Sequence, residues 1–207
     1  PRLPWSFRLE AVQADPQLAA GILDRLKADE SLYVRKSVAN HLNDVTKVHP
    51  EWVLDTIEGW SLENKHTAWI AKHALRSLIK QGDLRALTVI GAGGKPEVEL
   101  LDVKVEPAVV RLGEAITLSF VVKSTVAEEQ RLVIDYAIDY VKANGGVSGK
   151  VFKLKTVVLP GFGSVVVGRR QVIKDFTTRK HFAGGHGVKV MVNGEVLAAT
   201  AFNIIAG

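Results

Sequence analysis

Cysteine is absent from the 207 residues, and methionine occurs once. Without thiols the chain can form no disulfide, no thiolate zinc site and no cysteine nucleophile. Long apolar runs are lacking too. None approaches the roughly 18–20 residues that a membrane helix needs, so no membrane partner is expected. No basic-apolar-small leader opens the sequence, and nothing in it indicates export. The histidines form no H-E-x-x-H: His41 and His49 stand eight apart, and His66 and His73 seven apart. No metal and no cofactor are expected from these spacings. Gly184-Gly185-His186-Gly187 does not lead from a strand into a helix, so it is no phosphate-binding fingerprint. Neither G-x-S-x-G nor S-x-x-K occurs to supply acyl chemistry. An initiator Met is also missing, since the chain starts Pro1-Arg2-Leu3-Pro4-Trp5.

What is present reads as an ordinary globular chain, 47% apolar and 24% charged. Its length suits one large domain or two smaller ones. The net charge is +5 and is shared unevenly. Residues 1–92 carry 12 basic and 11 acidic side chains, whereas residues 93–207 carry 15 and 11. Arg169-Arg170 and Thr177-Thr178-Arg179-Lys180-His181 concentrate the excess. Such a bias is a weak pointer to a polyanion partner.

The periodicity changes partway along. Asp15-Pro16 is an N-cap and first-turn pair, after which Leu18, Ile22, Leu23 and Leu26 fall at helical spacing. Further helices are expected from Leu32 to His49, from Pro50 to Trp60, from about Leu62 to Lys80, and over Asp83 to Ile90. Pro16 and Pro50 open helices 34 positions apart, and Tyr33-Val34-Arg35-Lys36 matches Trp69-Ile70-Ala71-Lys72 at an offset of 36. Helix hairpins repeating at this period indicate an α-solenoid. Two units and a fragment are visible where at least three are usual, so the solenoid is expected to continue upstream of Pro1.

Gly91-Ala92-Gly93-Gly94-Lys95-Pro96 reads as a flexible linker. Beyond it apolar residues alternate with period two. Seven strands are expected: Val98–Val105, Ile116–Val122, Leu132–Ile138, Val151–Leu159, Val165–Ile173, Val188–Val192 and Val196–Phe202. The last two form a hairpin on Asn193-Gly194, a strong two-residue turn signal. Short strands with regular turns suggest an immunoglobulin-like β-sandwich, here without the Cys…Trp…Cys set. The expected fold is multi-domain α + β: an α-solenoid over residues 1–92, a linker at 93–97 and the sandwich over 98–207.

The segment Tyr33-Val34-Arg35-Lys36-Ser37-Val38-Ala39-Asn40-His41-Leu42-Asn43-Asp44 is the most informative. On a helix, Val34, Val38, Leu42 and Val45 face the core, while Lys36, Asn40, Asn43 and Asp44 line another stripe. Asn and Asp are poor helix-interior residues. Two explanations stand equally: hydrogen bonds to neighbouring helices, or a ligand-facing site. The offset of 36 stacks Lys72 and Arg76 beside Lys36 and Asn40. In a solenoid this makes a cationic row suited to phosphates. Trp5, in a proline-containing loop, is either a core plug or a stacking platform.

Arg2-Leu3-Pro4-Trp5, the 33–44 segment, and His66-Thr67-Ala68-Trp69 through Lys80 resemble the HEAT-like-repeat DNA alkylation-repair glycosylases of the AlkC type. The resemblance covers the whole chain but only the C-terminal part of such a protein. It implies HEAT-like repeats followed by an immunoglobulin-like domain. It implies hydrolysis of the N-glycosidic bond of cationic alkylated bases, 3-methyladenine and 3-methylcytosine, in double-stranded DNA without rotating the base into a deep pocket. Asp44 is then the carboxylate nearest the lesion, and Trp5 packs against the damaged nucleotide. Arg35, Lys36, Asn40, Asn43, Lys72 and Arg76 are candidates to hold phosphates. Arg169, Arg170, Arg179, Lys180 and His181 are candidates for a grip from the β-domain. The family's catalytic Glu comes from an earlier repeat and has no match here. A monomeric, cytoplasmic, bacterial protein is implied. The competing expectation is a non-enzymatic repeat-and-sandwich scaffold that binds a protein or carbohydrate.

Overall fold

The computed structural model describes residues 10–176 and 180–205. The chain divides into two compact units, Pro1–Gly93 and Gly94–Gly207. The described residues of the first unit form helices and those of the second form strands.

Helix α1 (Glu10–Ala14) leads through a 3-10 turn (Pro16–Ala19) into α2 (Ala20–Leu26). Asp15 caps this entry, its Oδ1 accepting from the Gln17 N–H at 3.0 Å. Pro16 follows where no intrahelical donor is needed. Helix α3 (Leu32–Val45) is the longest, with 14 residues. Helix α4 (Pro50–Glu58) again starts on proline. Asn64 caps α5 (Lys65–Ala74), its Oδ1 accepting from the His66 N–H at 2.8 Å. Helix α6 (Arg76–Gln81) ends on Gly82 at φ 79°, a left-handed stop that the missing Cβ permits. Asp83 then caps α7 (Leu84–Val89).

This unit is not the extended HEAT-like α-solenoid expected from the repeat. Helices α1, α2, α6 and α7 have only five to seven residues. One or two turns cannot build the continuous layers of a stacked solenoid. The helix expected from Leu62 to Lys80 is interrupted at Leu75, where ψ is 3°, so α5 and α6 are separate. The likeness at an offset of 36 has a local origin. Helices α3 and α5 pack directly on each other. Their facing residues Val38, Leu42, Ile70 and Ala74 are all 0–3% exposed. Two helices that share one core need similar apolar patterns without being rungs of a ladder.

The second unit is a β-sandwich. One sheet has the order β1 (Val98–Glu106), β3 (Ala115–Ser124), β6 (Ser164–Val172). The other runs β2 (Val109–Val110), β8 (Glu195–Ile204), β7 (Gly184–Val192), β4 (Gln130–Val141), β5 (Val147–Leu159). All pairings are antiparallel except the short β2–β8 contact. Ile116, Leu118 and Phe120 of β3 face Leu132, Ile134, Tyr136 and Ile138 of β4 across a core in which each is 0–2% exposed. Burying such side chains stabilises by roughly 1.5–3 kcal/mol each. The β7–β8 hairpin turns on Asn193 (φ 47°) and Gly194 (φ 82°), the paired positive angles that such a turn requires. Asn193 is itself buried, its Oδ1 accepting from the Val133 N–H at 2.8 Å and its Nδ2 donating to the Gly94 carbonyl at 3.0 Å.

Candidate nucleic-acid interface

Helix α3 presents the residues singled out in the sequence, in quite different settings. Lys36 and Asn40 are exposed. Asn40 Oδ1 accepts from Arg76 Nη2 at 3.1 Å, and Arg76 also donates to the His73 carbonyl at the α5–α6 junction. Lys36, Asn40 and Arg76 thus lie on the surface of the packed α3, α5 and α6 helices. Lys72 sits half-buried on α5.

Asn43 points the other way. It is buried, and its Nδ2 donates to the Ala74 carbonyl at 2.9 Å and to Ser77 Oγ at 3.0 Å. Those bonds occupy its amide in joining α3 to α5 and α6, the hydrogen-bonding alternative left open above. Arg35 is engaged as well. Its Nη1 donates to the carbonyls of Asp29 at 3.0 Å and Glu30 at 2.7 Å. Its guanidinium lies 5.7 Å from the Trp69 ring, which stacks on His73 at 3.7 Å. Arg35 therefore fixes the α2–α3 turn against α5.

Asp44 borders two environments. Its Oδ1 accepts from Lys47 Nζ at 2.7 Å, and its side chain stays 44% exposed. It also lines, with His41, Leu18, Ile22 and Val48, a cavity of about 410 Å³ between α2 and α3. His41 is only 8% exposed, and its Nε2 has no hydrogen-bond partner among the described residues. Burial is the largest of the effects that bring the imidazole down to about 4, and the Asp44 carboxylate opposes it, so the ring is neutral near pH 7. Desolvation lowers the Arg76 pKa from its ordinary value and the Asp44 carboxylate acts in the opposite sense, so Arg76 feels the charge of Asp44. One helix thus gathers a carboxylate, a neutral histidine and nearby cations. His41 drew attention in the sequence only as a possible metal ligand. Its spacing of three from Asp44 was the signal for a shared face.

Trp5 and Arg179 lie outside the described residues. In the β-unit, Arg169, Arg170 and Lys180 are exposed. His181 is buried: its N–H donates to Asp175 Oδ1 at 2.8 Å and its ring meets Tyr140 edge-on at 4.9 Å. It anchors its loop instead of projecting. Among the described residues, no group of three His, Asp or Glu side chains is arranged to hold a metal ion. No described helix is long and apolar enough to cross a membrane.

A short helical unit and a disulfide-free immunoglobulin-like sandwich, with cations around Asp44, define the class of protein. Residues 99–206 match the family model described as the C-terminal Ig-like domain of uncharacterised protein YhaZ. The chain is 41% identical over 204 residues to uncharacterized protein YhaZ of Bacillus subtilis (strain 168), covering 99% of this chain and 57% of that protein. It superposes over its whole length, with a TM-score of 0.96 and 63% identity, on 57% of a solved chain described as Pseudomonas fluorescens alkylpurine DNA glycosylase AlkC bound to DNA containing an abasic site analog. The chain therefore belongs to the YhaZ C-terminal Ig-like domain family and is, along its entire length, of the AlkC type. It spans a little over half the length of both relatives, 57% in each case.

Proposed function

We propose that this chain is the C-terminal part of a DNA-repair glycosylase that hydrolyses the N-glycosidic bond of cationic alkylated bases, such as 3-methyladenine and 3-methylcytosine, in double-stranded DNA. The observation that carries this is the 63% identity over the full chain to an alkylpurine DNA glycosylase solved on abasic-site DNA. An N3-alkylated base already bears positive charge and leaves readily. Catalysis then needs stabilisation of an oxocarbenium-like sugar and a positioned water, both within the reach of a carboxylate. Asp44 takes that role without full rotation of the base out of the stack. Lys36, Asn40, Lys72 and Arg76 hold backbone phosphates around it. Arg35 and Asn43 act indirectly, by fixing α3 against the α2–α3 turn and α5. Trp5 packs against the damaged nucleotide. Arg169, Arg170, Arg179 and Lys180 extend the contact from the β-unit, and His181 anchors the segment next to Lys180 through Asp175. The protein works as a monomer, in the cytoplasm where the chromosome lies.

Excision of 3-methyladenine from methylated DNA by the full-length protein tests this. Asp44→Asn keeps the shape and removes the charge, and it is expected to slow base release by about 10²–10³-fold, the usual effect of losing one transition-state stabiliser. Release at the wild-type rate would remove Asp44 from the mechanism. DNA affinity with no dependence on salt would instead favour a non-enzymatic scaffold, because phosphate contacts impose a steep one.

A further inference from the structure

A carboxylate is out of place on a surface offered to a polyanion. Asp44 shares its stripe of α3 with Lys36 and Asn40, and a bare negative charge there repels an approaching phosphate. Lys47 answers that charge. It lies three residues on, in the turn that follows the end of α3 at Val45. Backbone bonds lock this turn. The Thr46 N–H donates to the Leu42 carbonyl at 2.9 Å, and the Val48 N–H to the Val45 carbonyl at 3.0 Å. Thr46 is buried, and its Oγ1 donates to the Asn43 carbonyl at 2.8 Å. The Lys47 N–H meets the Asp44 carbonyl at 3.3 Å. The Lys47 backbone is thereby held beside Asp44, and its flexible four-carbon stem is the part that can move.

Lys47 Nζ donates to Asp44 Oδ1 at 2.7 Å. Among the described residues, Lys47 is the hydrogen-bond partner of this carboxylate. Arg76 is near enough to feel Asp44, but it donates elsewhere, from Nη2 to Asn40 Oδ1 at 3.1 Å and from Nη1 to the His73 carbonyl. The Lys47 side chain is 66% exposed and that of Asp44 44%. An exposed pair of this kind shifts an equilibrium by a factor of only about 1.5 to 5. It is enough to cover the carboxylate's charge in the free protein. It is also weak enough to give way to a phosphodiester, which offers the ammonium another charge-assisted bond and releases condensed counterions. While Lys47 is in place, Asp44 has little charge to spare for a cationic base or an oxocarbenium-like sugar. Catalysis by that carboxylate requires Lys47 to leave it.

We propose that Lys47 masks the Asp44 carboxylate in the free protein and passes to a backbone phosphate when duplex DNA binds, which bares Asp44 toward the cationic base. This rests on the reading of Asp44 as the carboxylate nearest the lesion, and it gives that site a switch. A double-mutant cycle in the full-length protein tests it, with affinity for an undamaged duplex read by fluorescence anisotropy at about 50 mM salt. Lys47→Met keeps the stem and removes the charge. With Asn at position 44, Lys47 has no pair to break, so its loss is expected to weaken binding about tenfold and to flatten the log–log salt slope by about one. With Asp44 present, breaking the pair offsets part of that gain, and the same change is expected to weaken binding only about threefold. Asp44→Asn alone is expected to tighten undamaged-duplex binding by about two- to fourfold. Equal costs of Lys47→Met in the two backgrounds would make Lys47 a plain phosphate contact and overturn the exchange. A larger cost with Asp44 present would keep the pair intact on DNA and overturn it too. No cost in either background would leave an ordinary surface ion pair. Single-turnover release of 3-methyladenine separates this proposal from the catalytic one. Lys47→Met is expected to stay within about threefold of the wild-type rate once DNA is saturated, because Lys47 has already left Asp44. A fall of about tenfold or more would place Lys47 in the chemical step and overturn the exchange. Wild-type release by Asp44→Asn would remove the catalytic reading, while the binding cycle still decides whether Lys47 moves. No duplex binding by the wild type would remove both.

Discussion

At the scale of single residues, burial separates side chains that the sequence presents as equals. Lys36, Asn40, Asn43 and Asp44 share one helical stripe in the sequence, yet Asn43 is 4% exposed and bonded to α5 and α6. Side-chain type and spacing left its role open, because an inward and an outward amide read alike until the neighbouring helix is in place. His41 is the residue whose setting has the clearest consequence. Its folded pKa of about 4 lies below the ordinary value of 6.5. The unfolded chain therefore binds the proton first as pH falls. Stability from the neutral ring is fully present above about 6.5 and is lost progressively as pH drops through the folded value. At 1.36 kcal/mol per pKa unit the loss reaches roughly 3 kcal/mol at most. Urea denaturation at pH 7.5 and pH 4.5 measures it. His41→Gln, which cannot titrate, is expected to reduce the difference between the two pH values by about 2–3 kcal/mol. An unchanged difference in the variant would move the pH sensitivity to other groups.

At the scale of elements, strands were more legible than helices. Alternation in 98–207 needs only a period of two, and Asn193-Gly194 marks its hairpin by chemistry alone, so the immunoglobulin-like half of the sequence reading fits the structure. The helical half did not form the solenoid read from the repeat. The break at Leu75, which is 0% exposed, carries no Pro or Gly to announce it. Helices α4 and α7 show another limit. Glu51, Asp55 and Glu58 lie along α4, and Arg85 binds all three at 2.6–2.7 Å. The carboxylates around Arg85 raise its pKa above the ordinary value. Nothing local in the sequence links it to partners 27–34 residues away. This clamp is exposed and therefore open to screening. Arg85→Met is expected to lower Tm in about 20 mM salt, with the difference from wild type shrinking by more than half in about 1 M salt. Equal differences at both salt levels would show that Arg85 acts through packing of its stem.

At the scale of the whole molecule, the sequence showed that the charge excess sits on the β-unit but not how it is distributed. Charge counts cannot show that Lys150 sits opposite the buried Ile138, because that needs the strand register. The division of the chain is itself a physical claim. The β-unit Gly94–Gly207 has one continuous core, from Val105 through Ile204, made only of its own residues. Its first residue is tied in by the bond from Asn193 Nδ2 to the Gly94 carbonyl, so a cut before Gly94 preserves that contact. Domains of this size with a closed core fold alone with a stability of about 5–15 kcal/mol. All four tryptophans, Trp5, Trp52, Trp60 and Trp69, precede the cut. Residues 94–207 alone are therefore silent in tryptophan emission, and folding must be read from strand circular dichroism and the near-ultraviolet signal of Tyr136 and Tyr140, both under 5% exposed. The expected result is a single cooperative urea transition in which both signals change together. Strand signal without a near-ultraviolet tyrosine band would indicate a collapsed but unpacked sandwich, and its core would then depend on the helical unit.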